Sequence, residues 1–347
     1  MASMRHALTQ AWNGQGGWGQ ALATFLLPLS WLFGLLVALR RRLYQHHVLQ
    51  QKHLPIPVIV VGNVMAGGVG KTPITIALVQ HLKAQGWHVG VLSRGYGREA
   101  SDIQSVTSGS TAHDVGDEPL LIARACQVPV FVGASRVAAG LALLASHPKV
   151  QVLVCDDGLQ HWQLGRDLEL CVFDERGVGN GHLLPAGPLR ESWPRQALNE
   201  VPCFIVRTAG DVGTNEFAVQ RRLADFAVRA DGTQRVLQSW GDTPVQALAG
   251  IAKPDVFFAM LRAQGLRLHH TQALPDHADL RQLCIDNTQG DVVCTEKDAV
   301  KLWPQHPHAW AVPLQTTLPP ELLAAIDAHL AATRHTKLSS PHGHQTA

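Results

Sequence analysis

The stretch PVIVVGNVMAGGVGKTP, residues 57–73, decides the fold of this 347-residue chain. Val58 to Val61 form a β-branched apolar run, which predicts a buried strand. Ile74 to Leu82 are typical of a helix, opened by Pro73 in a first turn where its missing N–H costs nothing. A strand, a glycine-rich turn and a helix in this order predict a P-loop, in which backbone N–H groups and the helix N-terminus bind phosphate.

The loop supplies six candidate nucleotide-binding residues: Gly67, Gly68, Val69, Gly70, Lys71 and Thr72. Lys71 would contact the β- and γ-phosphates, and the Thr72 hydroxyl would ligate Mg²⁺. Met65 stands where the usual pattern G-x-x-x-x-G-K-[ST] has its first glycine, so the loop is a variant. The alternative is a glycine-rich turn with an incidental Lys-Thr pair, but both flanking elements are in place. The sequence therefore predicts binding of a nucleoside triphosphate.

The composition narrows the class of protein. The length leaves room for two domains. A net charge of +2, without a basic patch among aromatic residues, predicts no nucleic-acid partner, and we infer no obligate protein partner. The six cysteines contain no C-x-x-C pair and lie mostly in apolar runs, which is typical of small buried side chains in a reducing compartment.

Ala21 to Leu39 are 19 consecutive residues without a charge, followed at once by Arg40, Arg41 and Arg42. As a helix this stretch would be roughly 28 Å long at about 1.5 Å per residue, close to the thickness of a hydrocarbon core. This length does not decide between a helix that spans the bilayer and one that lies in its surface. The arginines place the following chain in the cytoplasm by the positive-inside rule. We expect membrane association; the alternative is a buried core helix.

From residue 57 onward the predicted elements alternate. The predicted strands are Val89 to Leu92, Val128 to Val132, Val150 to Cys155 and Leu168 to Phe173, and the predicted helices are Glu118 to Cys126 and Ala134 to Ser146. This alternation predicts an α/β fold with a mostly parallel sheet, helices on both faces, and ligand sites at the carboxyl ends of the strands.

A second, smaller α/β unit is predicted beyond residue 216. Its strands are Val245 to Ile251, Leu266 to His270 and Asp291 to Cys294, and its helices are Asp255 to Gln264, Ala278 to Ile285 and Pro320 to Ala332. The predicted organisation is a membrane-associated segment (1–50), a P-loop domain (51–207), a linker (208–216), a C-terminal α/β domain (217–332) and a disordered tail (333–347).

Two acidic motifs follow predicted strands or open predicted helices. Asp156 and Asp157 end an apolar strand, where a Walker B carboxylate reaches Mg²⁺ or its water shell; the alternative is a helix-capping pair. Asp117 and Glu118 open a helix, where acidic side chains commonly interact favourably with the positive end of the helix dipole. Because this helix start is expected near the phosphate end of the sheet, Asp117 is a candidate base for an incoming hydroxyl and Glu118 a candidate metal ligand.

Five arginines fall in predicted loops or at helix starts: Arg94, Arg98, Arg136, Arg176 and Arg190. Cations of this kind neutralise the charge of a transferred phosphoryl group. We expect at least one of them to reach the γ-phosphate, with Arg94 and Arg190 as the candidates for nucleotide binding.

Together these motifs resemble the tetraacyldisaccharide 4'-kinase family, the lipid A 4'-kinases of Gram-negative bacteria. The matching pieces are VGN…GGVGKTP (61–73), SRGYGR (93–98), GDEP (116–119), DDGLQH (156–161), NGHLLPAGPLRE (180–191), GIAKPDVFF (250–258), PDH (275–277) and TEKDAVKL (295–302). Each piece alone is a weak signal, whereas the ordered series is specific.

The resemblance implies a P-loop kinase on the cytoplasmic face of the inner membrane. It would use ATP and Mg²⁺ to phosphorylate the 4'-hydroxyl of a tetraacylated glucosamine disaccharide 1-phosphate. The resemblance implies that Asp117 is the base and that His277 assists it, with Lys71 as a further catalytic residue. It also implies a Mg–ATP and substrate site with Asp156 and Asp157, lined by Asn63, Gln160 and His161. The segment TEKD (295–298) receives no role.

Two alternatives remain at this point. One is a membrane-localised, partner-regulated P-loop ATPase switch, although Ala66 stands where such switches often carry a signature lysine. The other is a soluble small-molecule kinase with an N-terminal oligomerisation helix. Release of phosphorylated lipid rather than free phosphate distinguishes the lipid kinase from the switch.

Overall fold

The computed structural model describes residues 12, 17–98, 100–195, 201–280, 283, 285 and 290–339. The chain forms two compact units. The first comprises Met1–Lys71, Gln151–Val219 and Pro319–Ala347, and the second comprises Thr72–Val150 and Gln220–Leu318. The units interleave along the chain, whereas the domains expected from the sequence are consecutive, so the boundaries at 50, 207 and 216 stay a prediction.

The described helices and strands are numbered in chain order. The helices are α1 (Gly17–Gln45), α2 (Lys71–Ala84), α3 (Ala112–Val115), α4 (Asp117–Cys126), α5 (Arg136–Ser146), α6 (Pro254–Ala263), α7 (Glu296–Leu302) and α8 (Pro320–Ser339), with a 3₁₀ helix at Leu237–Trp240. The first eight strands are β1 (Val58–Gly62), β2 (Val89–Ser93), β3 (Gln104–Ser105), β4 (Val130–Val132), β5 (Val152–Asp156), β6 (Leu168–Phe173), β7 (Cys203–Arg207) and β8 (Glu216–Ala218). The remaining strands are β9 (Gln220–Leu223), β10 (Phe226–Val228), β11 (Gln234–Val236), β12 (Val245–Ala249), β13 (Leu268–Ala273), β14 (Val292–Thr295), β15 (Trp310–Val312) and β16 (Leu314–Thr317).

The strands of the first unit run parallel in the order β5-β1-β6-β7-β8. Every residue of β1, β5 and β6 is buried. Buried parallel strands are continuous apolar runs, which is why the run from Val58 to Val61 predicts β1 so well. Val61 pairs with Asp156, so the carboxyl ends of β1 and β5 lie side by side.

The second unit contains a group of three strands, a six-stranded sheet and a short ribbon of β9 and β16. In the group β3-β4-β2, β2 and β4 are parallel and β3 is antiparallel to β4. The six-stranded sheet has the order β11-β10-β15-β14-β12-β13, with parallel pairing from β15 to β13 and antiparallel pairing at β10. Trp240, Trp310, Phe257 and Phe258 belong to the hydrophobic core of this sheet. The predicted fold class, a mixed α/β protein with a mostly parallel sheet, a second α/β part and an apolar N-terminal helix, is confirmed.

Two sequence predictions differ from the structure in the C-terminal half. The helix expected near Ala278 to Ile285 is wrong for residues 278–280, 283 and 285, which are not helical, while 281, 282 and 284 lie outside the described residues. Lys301 donates to the carbonyl of Ala278 instead (3.2 Å), which holds this segment as a loop. Helix α8 continues to Ser339, past the residue at which the tail was expected to begin, and residues 340–347 lie outside the described residues.

Helix α1 presents a broad apolar surface to solvent. Phe25 and Trp31 are 80% and 70% exposed, and Leu35 is 65% exposed. By length and composition, α1 is long and apolar enough over Gly19–Gln45 to cross a membrane. Single large apolar residues on a surface are ordinary, but a contiguous apolar face of this kind marks an interaction site.

A narrow stripe of α1 is anchored to the first unit. Ser30 is 3% exposed; its hydroxyl donates to the carbonyl of Leu183 (2.8 Å) and accepts from the N–H of Ala186 (2.8 Å). A Cβ placed on Gly34, one turn further, would meet Leu183 Cδ1 at 2.8 Å, so the helix packs closely against this segment. The anchored segment, residues 183–186, belongs to the NGHLLPAGPLRE motif.

We expect Ser30→Ala to lower the free energy of unfolding by about 1–3 kcal/mol, because the buried N–H of Ala186 would lose its acceptor. Thr24→Ala is the matched control on the same helix, since the Thr24 hydroxyl donates to Gln20 at an exposed position. Urea unfolding of the full chain in detergent micelles measures both changes. Equal changes in the two variants would contradict anchoring through Ser30.

Candidate active site

The loop between β1 and α2 has the backbone of an anion cradle. Gly67 and Gly70 have φ of +98° and +86°, a region that favours glycine. The carbonyl of Gly68 accepts from Arg176 Nη2 (3.0 Å), and the carbonyl of Val69 accepts from the Thr208 hydroxyl (3.2 Å). These contacts orient two carbonyls of the loop, and a glycine-rich turn of this kind can direct consecutive N–H groups toward an anion.

A short ribbon fixes the start of this loop. Met65 forms an antiparallel bridge with Leu189, and the N–H of Ala66 donates to the carbonyl of Pro188 (2.7 Å). The N–H of Arg190 donates to the carbonyl of Val64 (2.7 Å). The NGHLLPAGPLRE segment therefore extends along the P-loop and delivers the Arg190 side chain to the end of β1.

Lys71 and Arg190 converge on one carboxylate and one amide oxygen. Lys71 Nζ lies 3.5 Å from Asp157 Oδ1 and 3.3 Å from Asn63 Oδ1. Arg190 lies 3.3 Å from Asp157 Oδ1, donates to Asn63 Oδ1 (3.0 Å), and donates through Nε to the carbonyl of Met65 (2.9 Å). We call Asn63, Lys71, Asp157, Gln160 and Arg190 the Lys71 cluster. Its two cations stand beside the phosphate cradle and are held there by oxygen atoms.

Gln160 joins this cluster to the neighbouring acid. Its Nε2 donates to the carbonyl of Asn63 (2.9 Å) and to Glu191 Oε1 (2.8 Å), while its Oε1 accepts from Arg190 (3.1 Å). His161 contributes its carbonyl oxygen to Arg166 Nη2 (2.6 Å). Two predicted substrate residues, Asn63 and Gln160, are therefore brought together by direct contact.

The charges of the Lys71 cluster support one another. Burial opposes the ionisation of Asp157, but Lys71 and Arg190 outweigh it and lower the pKa of this carboxyl below its ordinary value. Asp157 has φ of +49°, which is uncommon for a residue other than glycine and is least costly for Asp, Asn and His. A backbone with positive φ at the end of a strand is often found at functional sites.

A second cluster, in the second unit, is built around Asp117. Its carboxylate is 6% exposed, and Oδ2 lies 3.0 Å from His277 Nδ1 and 3.8 Å from both Lys297 Nζ and Lys301 Nζ. The other oxygen, Oδ1, accepts from the N–H of Glu118 (2.9 Å). Like Asp157, His277 has a positive φ, of +61°.

Glu118 and Asp276 complete this Asp117 cluster. Lys297 Nζ lies 3.3 Å from Glu118 Oε1 and 3.0 Å from Asp276 Oδ1. The ring of Tyr96 lies 5.1 Å from the ring of His277, between centroids. The cluster therefore combines three carboxylates, two lysines and one imidazole within direct contact distance.

The pKa values in the Asp117 cluster shift in directions that favour an ionised carboxylate. Burial opposes ionisation of Asp117, but the hydrogen bond from His277 and the charges of Lys297 and Lys301 lower the pKa of the carboxyl. The hydrogen bond to Asp117 raises the pKa of His277, against burial and Lys297. Burial opposes the charge of Lys297, but the carboxylates of Glu118, Asp117 and Asp276 raise its pKa.

Three further predicted site residues lie on three different segments of the chain. Thr72 is buried in the first turn of α2, Asp156 is fully buried at the end of β5, and Arg94 is exposed beyond β2. Sequence reasoning missed Lys297, Lys301 and Asp276, because their role depends on distant residues. The motif TEKDAVKL contains both lysines, so the ordered series of motifs is the signal that could have found them.

The oxygen donors present fit Mg²⁺. Thr72, Asp156, Asp157 and Glu118 offer hydroxyl and carboxylate oxygens, which are the ligands that hard cations take. Among the residues that the structure describes, no three or more His, Cys, Asp or Glu side chains form a metal cluster. Mg²⁺ is usually bound through one or two carboxylates together with the phosphates of a nucleotide, and in the first unit Asp156 and Asp157 are carboxylates of this kind.

A P-loop at the end of a buried parallel strand, with Lys71 beside a strand-end aspartate, defines a P-loop nucleotide-binding α/β protein. The family model described as Tetraacyldisaccharide-1-P 4'-kinase matches residues 22–331. The chain belongs to this family.

The names of individual relatives agree with this family assignment. The chain is 53% identical over 329 residues to "Tetraacyldisaccharide 4'-kinase" of Acidovorax sp. (strain JS42), covering 94% of each chain. It is 48% identical over 348 residues to the protein of the same name from Polaromonas naphthalenivorans (strain CJ2), covering 99% of this chain and 100% of the relative. The crystal structure of the "apo" form of LpxK from Aquifex aeolicus in complex with ATP has a TM-score of 0.77 and 28% identity, covering 89% of this chain and 99% of that one. The predicted family and enzyme class are confirmed, and the ATPase switch is not favoured.

We expect Arg190→Ala to weaken ATP binding by about 10- to 100-fold, because the Lys71 cluster would lose one of its two cations and a charge-assisted hydrogen bond is worth about 1.5–3 kcal/mol. Arg222→Ala is the matched control, since Arg222 donates to Gln315 at an exposed position. Titration of the full chain with ATP in a calorimeter measures both affinities. An unchanged affinity for Arg190→Ala would contradict the proposed contact of this cluster with the nucleotide.

Proposed function

We propose that the chain transfers the γ-phosphate of ATP to the 4'-hydroxyl of a tetraacyldisaccharide 1-phosphate, in the biosynthesis of lipid A, the anchor of lipopolysaccharide. Family membership and the names of the relatives support the reaction, and ATP is the nucleotide of the Aquifex aeolicus structure. The observation that carries the chemistry is the 3.0 Å contact between His277 Nδ1 and the buried carboxylate of Asp117.

The P-loop and Lys71 hold the phosphates in this proposal. The N–H groups of residues 67–72 surround the terminal phosphates, and Lys71 neutralises the β- and γ-oxygens. Asp157 and Asn63 hold the Lys71 ammonium in place before a nucleotide arrives, so little side-chain entropy is lost on binding. Arg190 supplies a second cation from the same cluster. Such pre-placed charge is the main contribution that a protein makes to phosphoryl transfer, since the transition state is loose.

The predicted magnesium ligands remain a proposal. Thr72, Asp156 and Asp157 would hold Mg²⁺ together with the nucleotide phosphates. Bound there, Mg²⁺ would neutralise charge on the β- and γ-oxygens. Glu118 is ion-paired with Lys297 in the Asp117 cluster, and its role as a metal ligand stays a prediction.

Asp117 accepts the proton of the attacking hydroxyl in this proposal. The hydroxyl oxygen forms a bond to the γ-phosphorus, its proton passes to the Asp117 carboxylate, and ADP leaves as the γ-phosphorus–oxygen bond breaks. A lowered pKa means that the carboxylate is ionised and ready at neutral pH. The N–H of His277 orients the carboxylate through Oδ2.

The exposed face of α1 gives the enzyme access to its lipid substrate. Four acyl chains cannot leave a bilayer cheaply, since each methylene costs about 0.8 kcal/mol to expose. We infer that the apolar face around Trp31 and Leu35 inserts into the inner membrane. The following residues, Arg40 to Arg42, favour the cytoplasmic face by the positive-inside rule.

We expect Lys71→Ala to abolish transfer and Asp117→Asn to lower kcat by about 10²–10⁴-fold, the range for loss of a general base. Asp114→Asn is the matched control, because Asp114 is an exposed carboxylate in the capping box of α3. Transfer of labelled γ-phosphate to tetraacyldisaccharide 1-phosphate in mixed micelles measures all three. Near-native turnover of Asp117→Asn beside an inactive Lys71→Ala would refute the base assignment, and release of free phosphate alone would refute the kinase.

We expect Trp31→Asp combined with Leu35→Asp to abolish binding to vesicles of anionic and zwitterionic lipids, because each aspartate in a membrane helix costs about 2.5–3.5 kcal/mol. Leu141→Asp is the control, since Leu141 is an exposed leucine on α5. Co-sedimentation of the full chain with vesicles measures the bound fraction. Equal binding of both variants would show that α1 is not the membrane contact.

A further inference from the structure

Lys297 lies at the centre of the Asp117 cluster, although the proposed proton transfer gives it no part. Its Nζ lies 3.0 Å from Asp276 Oδ1, 3.2 Å from His277 Nε2 and 3.3 Å from Glu118 Oε1. An ammonium carries three N–H donors and no acceptor. These three contacts account for all three donors of a side chain that is 16% exposed.

The backbone that carries Lys297 is held firmly at both ends of the TEKD segment. The Thr295 side chain caps α7 by accepting from the N–H of Asp298 (3.2 Å). The fully buried carboxylate of Asp298 accepts from the Thr295 hydroxyl (2.6 Å) and from the N–H of Gly250 (2.8 Å). A Cβ on Gly250 would lie 2.7 Å from Asp298 Oδ1, so this contact needs glycine. The TEKD segment therefore fixes the backbone position from which the Lys297 side chain extends.

Two lysines one helical turn apart then hold the loop around His277. Lys297 binds the carboxylate of Asp276, and Lys301 donates to the carbonyl of Ala278 (3.2 Å). His277, between these two residues, has a left-handed backbone that other structure must maintain. Helix α7 is therefore a platform on which the imidazole is placed.

The contact between Lys297 and the imidazole also restricts the ring proton. Because an ammonium can only donate, Nζ and Nε2 at 3.2 Å form a hydrogen bond only when Nε2 carries no proton. A neutral ring then has its proton on Nδ1, the nitrogen that faces Asp117 Oδ2 at 3.0 Å. In a protonated ring Nε2 would also carry a proton, so two donors, Lys297 Nζ and His277 Nε2, would face each other without an acceptor.

We propose that Lys297 is a positioning residue for the Asp117–His277 pair: it donates to Nε2 of His277 and thereby keeps the ring proton on Nδ1, directed at Asp117. The proposal rests on the proposed role of Asp117 as the base. In this arrangement Asp117 receives a fixed hydrogen bond on Oδ2, and the orientation of the carboxylate toward the acceptor hydroxyl is set before substrate binds.

The tautomer can be measured without substrate. Two-bond ¹H–¹⁵N spectra of the histidine-labelled full chain, in detergent micelles and mildly alkaline buffer, distinguish protonated from unprotonated ring nitrogens; His277→Gln identifies the signals. We expect His277 to be protonated on Nδ1 in the unsubstituted chain and in Lys301→Met, and to gain protonation on Nε2 in Lys297→Met. Lys301→Met is the matched control, because both lysines lie 3.8 Å from Asp117 Oδ2 and the described ring contact belongs to Lys297.

Kinetics then separate this proposal from the proposed function. We expect Lys297→Met to lower kcat by about 10–100-fold, the range for loss of an orienting partner, with KM for ATP unchanged. In an Asp117→Asn background the same change should have much less effect, because residues that act as a unit are not additive. An Nε2-protonated ring in the unsubstituted chain, or equal spectra for Lys297→Met and Lys301→Met, overturns the proposal. The expected spectra with unchanged kcat in Lys297→Met would overturn the positioning role of Lys297, whereas near-native turnover of Asp117→Asn would overturn the base role of Asp117.

Discussion

The parallel register between β1 and β5 is the constraint on which the proposed nucleotide site depends. Val61 pairs with Asp156, so the first residues beyond each strand, Asn63 and Asp157, leave the sheet at the same edge. Lys71 and Arg190 contact both of them. A shift of one residue would turn every side chain of β5 to the opposite face, and the carboxylate that holds both cations would be lost. The anion cradle is thus a consequence of strand pairing as much as of its glycines.

The two clusters use charge in opposite ways. In the Lys71 cluster one carboxylate holds two cations, and we propose that their positive charge binds an incoming phosphate. In the Asp117 cluster two lysines and a histidine surround one buried carboxylate and favour its ionised form, and we propose that this carboxylate accepts a proton. Each cluster contains a non-glycine residue with positive φ, Asp157 or His277. Local backbone strain of this kind persists only when surrounding contacts determine it, and the hydrogen bonds and ion pairs of each cluster supply those contacts.

The elements that depend on neighbouring residues were predicted from the sequence, whereas contacts between residues far apart in the chain were not. The strand from Val58, the glycine turn and the helix that follows depend on neighbouring residues, and all three are present. The pairing of Asp117 with His277 came only from the resemblance to a family, since no local pattern joins residues so far apart. Lys297 was overlooked because its partners are Glu118 and the loop at 276–277. The helix expected near residue 278 was wrong for the same reason: contacts from α7 override the local preference. The short strands β8 to β11, too brief for a periodic signal, were also missed.

The central claim is that Asp117 receives the proton of the lipid hydroxyl while the Lys71 cluster holds ATP. A crystal structure of the full chain with Mg²⁺, a non-hydrolysable ATP analogue and the acceptor lipid measures this most directly. The account predicts that the 4'-hydroxyl oxygen lies within hydrogen-bond reach of an Asp117 oxygen, about 2.6–3.2 Å, with the γ-phosphate on the P-loop. A hydroxyl bound to Asp157 instead, with Asp117 in contact only with His277 and the lysines, would contradict it.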